Sequence, residues 1–117
     1  IDWDDDLVIT EGIFDAIRAG PNAIPLLGST LRENSKLFQK IVKYDTPIYL
    51  ALDADAEKKE TRIINLFLKY GIEVYKIDTS GYEDIAAMPY YRFAERKEKA
   101  TFIIQGDYLL RKALQRI

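Results

Sequence analysis

The sequence contains no cysteine and no histidine. The first absence excludes disulfides and cysteine-rich zinc sites from this chain, and the second removes the usual general base near neutral pH and the usual zinc ligand. Any catalysis must therefore depend on carboxylate, lysine, arginine, tyrosine or hydroxyl side chains. A metal site would be built from oxygen ligands, which suit Mg²⁺ or Mn²⁺ better than zinc.

Long apolar runs are also missing. No stretch of about 18 apolar residues and no signal peptide is present, which predicts a cytoplasmic protein that does not bind a membrane. The sequence begins with Ile1 and its single methionine is Met88, so we expect a piece of a longer protein. The length of 117 residues predicts one domain with one core, and a composition of 48% apolar and 31% charged residues is typical of a globular protein.

Charge is unevenly distributed along the chain, although the net charge is only −2. Residues 1–91 carry 10 basic and 16 acidic side chains, whereas residues 92–117 carry 7 basic and 3 acidic ones. Bound cations would balance the acidic part, and phosphate would suit the basic end. A solvated helical face explains the basic end equally well.

Apolar runs alternate with helical patterns, which predicts an α/β fold whose central four-stranded, mainly parallel sheet has helices on both faces. Strands are expected to start near residues 6, 23, 48 and 73, and Pro25 favours an edge position for the second. Thr30 and Glu33 have capping-box spacing, which predicts a helix from about Leu31 to Tyr44. Other helices are predicted at 13–19, where Ile13, Phe14 and Ile17 share a face, at 57–70, and from about Asp107 to Arg116.

Acidic side chains follow the first, third and fourth predicted strands, where parallel sheets bind their ligands. Glu11 follows the first strand, Asp53 and Asp55 follow the third, and Asp84 comes after the fourth. Asp15 lies one helical turn after Glu11, and in an extended segment Asp53 and Asp55 would share a face. Carboxylates held together repel one another unless a cation binds, so this pattern predicts a site for Mg²⁺ or Mn²⁺.

Three further residues are candidates for binding phosphate. Gly28 allows close backbone approach, Ser29 supplies a hydroxyl near a helix N-terminus, and Lys58 follows the Asp-x-Asp pair. Plainer structural interpretations compete for several of these residues. Either aspartate of the pair is a possible helix cap, Asp15 is a possible solvated helix residue, and Lys58 a possible surface lysine.

Three motifs resemble the Toprim family. Residues 8–16 contain a strand followed by Glu-Gly-x-x-Asp, residues 23–31 are similar to the second strand and glycine turn of primase Toprim domains, and residues 48–55 match a strand followed by Asp-x-Asp. Glu83-Asp84 stands where primases have a further motif. The resemblance covers roughly residues 6–86 and is strongest to the DnaG-type bacterial and phage primase and primase-helicase branch.

The resemblance implies a Rossmann-like Toprim domain over residues 1–89, followed by a basic helical extension over 90–117. It implies Glu11, Asp53 and Asp55 as catalytic metal ligands, with Asp15 and Asp84 as supporting acids. The implied activity is nucleotidyl transfer for RNA primer synthesis from nucleoside triphosphates on single-stranded DNA. A replicative helicase, separate or fused, is the implied protein partner.

Other functions remain open at this stage. A Toprim nuclease or a topoisomerase-related domain would use the same acids to cut phosphodiesters. A haloacid-dehalogenase-like phosphatase also uses an Asp-x-Asp, but its motif follows the first strand and continues differently. A metal-binding module that is inactive in isolation is the remaining alternative.

Overall fold

The computed structural model describes residues 1–104, 106, 113 and 114. The predicted helix from about Asp107 to Arg116 lies almost entirely outside these described residues. No helix in the described part is long and apolar enough to cross a membrane. In chain order the elements are β1 (Leu7–Thr10), α1 (Ile13–Ala19), β2 (Ala23–Pro25), α2 (Lys36–Tyr44), β3 (Ile48–Ala51), α3 (Glu57–Lys69), β4 (Val74–Lys76), a 3₁₀ turn (Ile85–Ala87), α4 (Tyr90–Glu98) and β5 (Thr101–Phe102).

The sheet has five strands in the order β2-β1-β3-β4-β5. Strands β1 to β4 pair in parallel, and β5 pairs with β4 antiparallel. The parallel α/β architecture and the edge position of Pro25 are therefore confirmed. The strand count of four was wrong, because β5 lies in the segment where only helices were predicted. Two residues are too short to show a strand periodicity, so pairing with β4 decides their conformation.

The core lies on both faces of the sheet. On one face, Leu7 of β1 packs in a cluster with residues of α2 and α3, including the fully buried Phe67. On the other face, Val8 of the same strand packs with Phe93 of α4 and with the 3₁₀ turn. Since successive strand residues point to opposite faces, a strand buried on both sides is mostly apolar, as β3 and the first three residues of β1 are.

Helix α1 does not bury its large apolar side chains. Ile13, Phe14 and Ile17 share one face as predicted, but that face is exposed, and Phe14 is 73% accessible. Asp15 and Ala16 are the buried residues of this helix. The apolar stripe of α1 therefore lines the outside of the molecule next to the carboxyl end of β1.

Helix α2 begins later than the sequence predicted. Its N-cap is Ser35, whose hydroxyl accepts a hydrogen bond from the Phe38 N–H at 3.1 Å. The capping box predicted at Thr30 and Glu33 does not form at a helix start, because residues 31–35 stay non-helical and bury Leu31 in the core. The hydroxyl oxygen of Thr30 is buried and has no partner among the described residues.

Removing the hydroxyl of Ser35 and that of Thr30 should affect the free energy of unfolding differently. Ser35→Ala should lower the free energy of unfolding by about 1 kcal/mol, the usual loss for a helix N-cap. Thr30→Val should change it by less than about 0.5 kcal/mol or raise it, because it removes an unpaired buried hydroxyl at constant shape. Urea denaturation of both variants measures the difference. A larger loss at Thr30 than at Ser35 would contradict the observed start of α2.

Candidate metal centre

The predicted carboxylate site lies at the carboxyl ends of β1 and β3, which are adjacent and parallel as expected. A pocket of 640 Å³ opens there, and four acidic residues line it: Glu11, Asp15, Asp53 and Asp84. This volume is within the range of about 300–1,000 Å³ that is typical of small-molecule sites. The fold therefore brings residues that are 73 positions apart in sequence to one pocket.

Two buried oxygens in this pocket have no hydrogen-bond partner among the described residues: Glu11 Oε1 and Asp53 Oδ1. A buried carboxylate oxygen without a partner is costly, because it has lost water without gaining a donor. A bound cation would compensate such an oxygen.

The charge of the neighbours acts on Asp53. Burial raises the pKa of the Asp53 carboxyl above its ordinary value, and the surrounding negative charges raise this pKa further. Those charges belong to Asp15, Glu11, Asp55 and Asp84. Four negative charges therefore act on Asp53, and a divalent cation bound at Asp53 would relieve this repulsion.

The Asp-x-Asp segment is a turn and not the extended segment that the sequence predicted, since the Ala56 N–H donates to the Asp53 carbonyl at 3.0 Å. The N-cap of α3 is Ala56, so neither aspartate caps that helix. The plainer structural interpretation of the pair is therefore wrong. Asp53 lines the pocket, whereas Asp55 is exposed and is not part of the pocket wall.

Asp15 is only 5% accessible, so its interpretation as a solvated helix residue was wrong. Its Oδ2 accepts a hydrogen bond from the Gly12 N–H at 3.1 Å, and its Oδ1 accepts one from the Ala86 N–H at 2.8 Å. Asp15 thereby connects the start of α1 to the 3₁₀ turn. It holds the backbone beside Glu11 in place, and its role as a supporting metal ligand stays a prediction.

Asp84 likewise accepts a backbone hydrogen bond and lies in the pocket wall. Its Oδ1 accepts a hydrogen bond from the Ala87 N–H at 2.9 Å and so caps the 3₁₀ turn, while its side chain also lines the pocket. Asp84 therefore adds negative charge to the site from a fixed position.

The predicted phosphate-binding turn also contributes to the pocket wall. Leu27 and Gly28 line the pocket, and both have positive φ, at 54° and 81°. Gly28 adopts this conformation without the strain that Leu27 bears. The Ser29 hydroxyl donates to the Leu26 carbonyl at 2.6 Å, so this hydroxyl is engaged within the turn.

The cation that faces the site is Lys59, and not Lys58. Lys59 Nζ lies 3.1 Å from Glu11 Oε2, whereas the Lys58 side chain is exposed. Lys59 was not among the residues that the sequence pattern singled out as candidates for the site. The available signal was its place in the first turn of a helix, where a positive charge is unfavourable unless an acid is near.

The donor set fits a hard divalent ion, but the site is not preassembled. In the part of the chain that the structure describes, no group of three or more acidic side chains is arranged to hold a metal ion as it stands. Metal binding would therefore require side-chain movement, and Glu11 could offer Oε1 while its Oε2 is paired with Lys59.

Among solved structures, the chain is similar to the crystal structure of the Aquifex aeolicus primase with its zinc-binding and RNA polymerase domains, at a TM-score of 0.67 and 22% sequence identity. The match covers 83% of this chain and 26% of that chain, so this chain spans about a quarter of the primase structure. No family model and no curated protein matches the sequence. At this identity the likeness concerns the fold, and it shows that the fold of this chain is primase-like.

Proposed function

We propose that this chain is the Toprim catalytic subdomain of a DNA primase, in which Glu11, Asp53 and Asp55 bind Mg²⁺ or Mn²⁺ for RNA primer synthesis. The observation that carries the proposal is the pair of buried, unpartnered oxygens, Glu11 Oε1 and Asp53 Oδ1, at the ends of adjacent parallel strands. The primase-like fold supports the same conclusion. The substrates would be nucleoside triphosphates and a single-stranded DNA template, with a separate or fused helicase as partner.

Each residue of the site has its own proposed role. Glu11 and Asp53 offer oxygens from inside the pocket. Asp55 offers a carboxylate from an exposed position outside the pocket wall, and its charge acts on Asp53. When bound, the metal would polarise a phosphate and balance the negative charge that develops during phosphoryl transfer. Asp15 keeps the Glu11-Gly12 backbone in position through its two hydrogen bonds. Gly28 borders open space in the pocket, since a Cβ there would meet no atom within 4 Å.

The proposal predicts that Mn²⁺ stabilises the fold through Asp53. At a concentration ten times its dissociation constant, Mn²⁺ should raise the free energy of unfolding of the wild type by about 1.4 kcal/mol, because it binds only the native state. Asp53→Asn should remove most of this gain. Without metal, the same variant should be more stable than the wild type, since it removes a partly buried charge that four acids repel.

Thermal unfolding across a Mn²⁺ titration measures both effects. Asp4→Asn is the matched control, because it removes one carboxylate charge from an exposed position outside the pocket. High NaCl controls for screening of surface charge. Equal responses of wild type and Asp53→Asn to Mn²⁺ would remove the metal site and the physical basis of the proposed function.

A further inference from the structure

Lys59 occupies an unfavourable position in its helix. It is the third residue of α3 (Glu57–Lys69), and the N-terminal turn of a helix carries a partial positive charge that disfavours cations. The same turn contains Glu57 and Glu60, which have the favourable sign. The Lys59 ammonium group makes an interaction outside the helix.

That interaction is the ion pair with Glu11. The two side chains are 20% and 17% accessible, and Nζ lies 3.1 Å from Oε2. Both groups have lost most of their water, so the pair differs from the exposed ion pair of Lys69 and Glu33 at the other end of α3, which is 67% and 49% accessible. Partly buried charges are screened less by solvent, and each depends more strongly on its partner.

Lys59 compensates only part of the site. Its contact is with Glu11 Oε2, whereas Glu11 Oε1 and Asp53 Oδ1 have no partner in the described part of the chain. In the described ranges, no other lysine or arginine forms an ion pair with any of the four acidic residues that line the pocket. Among the described residues, Lys59 is therefore the ion-pair partner of the carboxylates that line the pocket.

We infer that Lys59 is an internal counter-cation of the carboxylate site: it pairs with Glu11 in the metal-free chain, is displaced when a divalent cation binds Glu11, and then pairs with phosphate of the bound nucleotide. This inference rests on the proposed function and adds a positioning residue to it. Lys59 and a divalent ion compete for Glu11, because two cations at one carboxylate repel each other.

The displaced ammonium has a suitable new partner. Lysine carries a compact charge on a flexible four-carbon stem, so Nζ can move by several ångströms while its backbone stays in the helix. A nucleotide held at the pocket would bring phosphate oxygens to the same region, and lysine binds phosphate well as a point charge. Lys59 would thus exchange one anion for another as the site fills.

The test uses two ligands for which the inference predicts opposite changes. In Lys59→Met, which keeps the apolar stem, the dissociation constant for Mn²⁺ alone should fall about fivefold, because the competing cation is gone. The affinity for ATP at saturating Mn²⁺ should weaken about fivefold, because a phosphate contact is lost. Electron paramagnetic resonance of free Mn²⁺ measures the first constant, and equilibrium dialysis of labelled ATP measures the second.

Two further variants control the interpretation. Lys69→Met removes the same charge from the same helix, but from the exposed pair, and should change neither constant by more than about twofold. Lys59→Arg keeps the charge and should restore ATP binding. Circular dichroism melting of each variant establishes that it is folded.

The outcomes separate this inference from the proposed function. If the wild type binds Mn²⁺ and Lys59→Met binds it equally or more weakly, the counter-cation role is overturned while the metal site stands. Unchanged ATP binding in Lys59→Met would overturn the phosphate contact. A wild type that binds no Mn²⁺ would remove the proposed function, and the inference with it.

Discussion

Replacing Glu11 with glutamine is expected to reduce primer synthesis by the intact protein on the order of 10³-fold, if the proposed function is correct. A metal ion contributes several kcal/mol to the stabilisation of a phosphoryl-transfer transition state, and about 1.4 kcal/mol corresponds to a factor of ten in rate. Glutamine preserves the size of the side chain but removes the charge that holds the cation. Incorporation of labelled ribonucleotides on a single-stranded DNA template measures the effect.

The matched control is Glu98→Gln, an exposed carboxylate on α4, which should leave primer synthesis unchanged within about twofold. A thermal melt of each variant separates lost chemistry from lost fold. Primer synthesis by Glu11→Gln at the wild-type rate would contradict the assignment of Glu11 as a metal ligand. Cleavage of the template instead of primer synthesis by the wild type would favour a Toprim nuclease.

Truncating Phe67 to alanine should produce the largest loss of stability, about 3–5 kcal/mol. The Phe67 side chain has 0% accessibility, and its ring stacks on that of Phe38 with centroids 5.6 Å apart. The substitution leaves a cavity between the sheet and helices α2 and α3, which can close only in part. Since small domains have a total stability of about 5–15 kcal/mol, this variant should lose a large fraction of it.

Phe14→Ala supplies the comparison for this measurement. Phe14 is 73% accessible, so its truncation should change the free energy of unfolding by no more than about 0.5 kcal/mol. Urea denaturation of the two variants compares one residue type in two environments. A loss at Phe14 as large as that at Phe67 would show that the apolar face of α1 is buried in solution, contrary to the structure.

The sequence pattern alone predicted those elements whose segments have the same pattern of burial along their whole length. The apolar run of β3 and the periodic stripe of α3 predicted both elements to within a few residues, because burial selects the same residue types along the whole segment. The start of α2 was missed, since Thr30 and Ser35 both suit an N-cap and only the burial of Leu31 decides between them. The two residues of β5 carry no periodicity and depend on their partner strand.

The candidate site shows the same division. The alternation of strands and helices predicted that Glu11 and Asp53 follow parallel strands, and in the structure both residues line one pocket. Their function as metal ligands stays a prediction. The contacts of Asp15 were not predictable, because its partner Ala86 lies 71 residues away in sequence.

The sequence by itself determined the parallel α/β architecture, the restriction of any metal site to oxygen ligands, and the end of the sheet where the acidic residues meet. These depend on residue type and order along the chain, which periodicity and composition report directly. Only the tertiary structure decided that Lys59 pairs with Glu11, that the apolar face of α1 is exposed, and that two carboxylate oxygens are buried with no partner among the residues described. Each of these depends on which side chains meet across the sheet edge, and distances between residues far apart in sequence are set by packing alone.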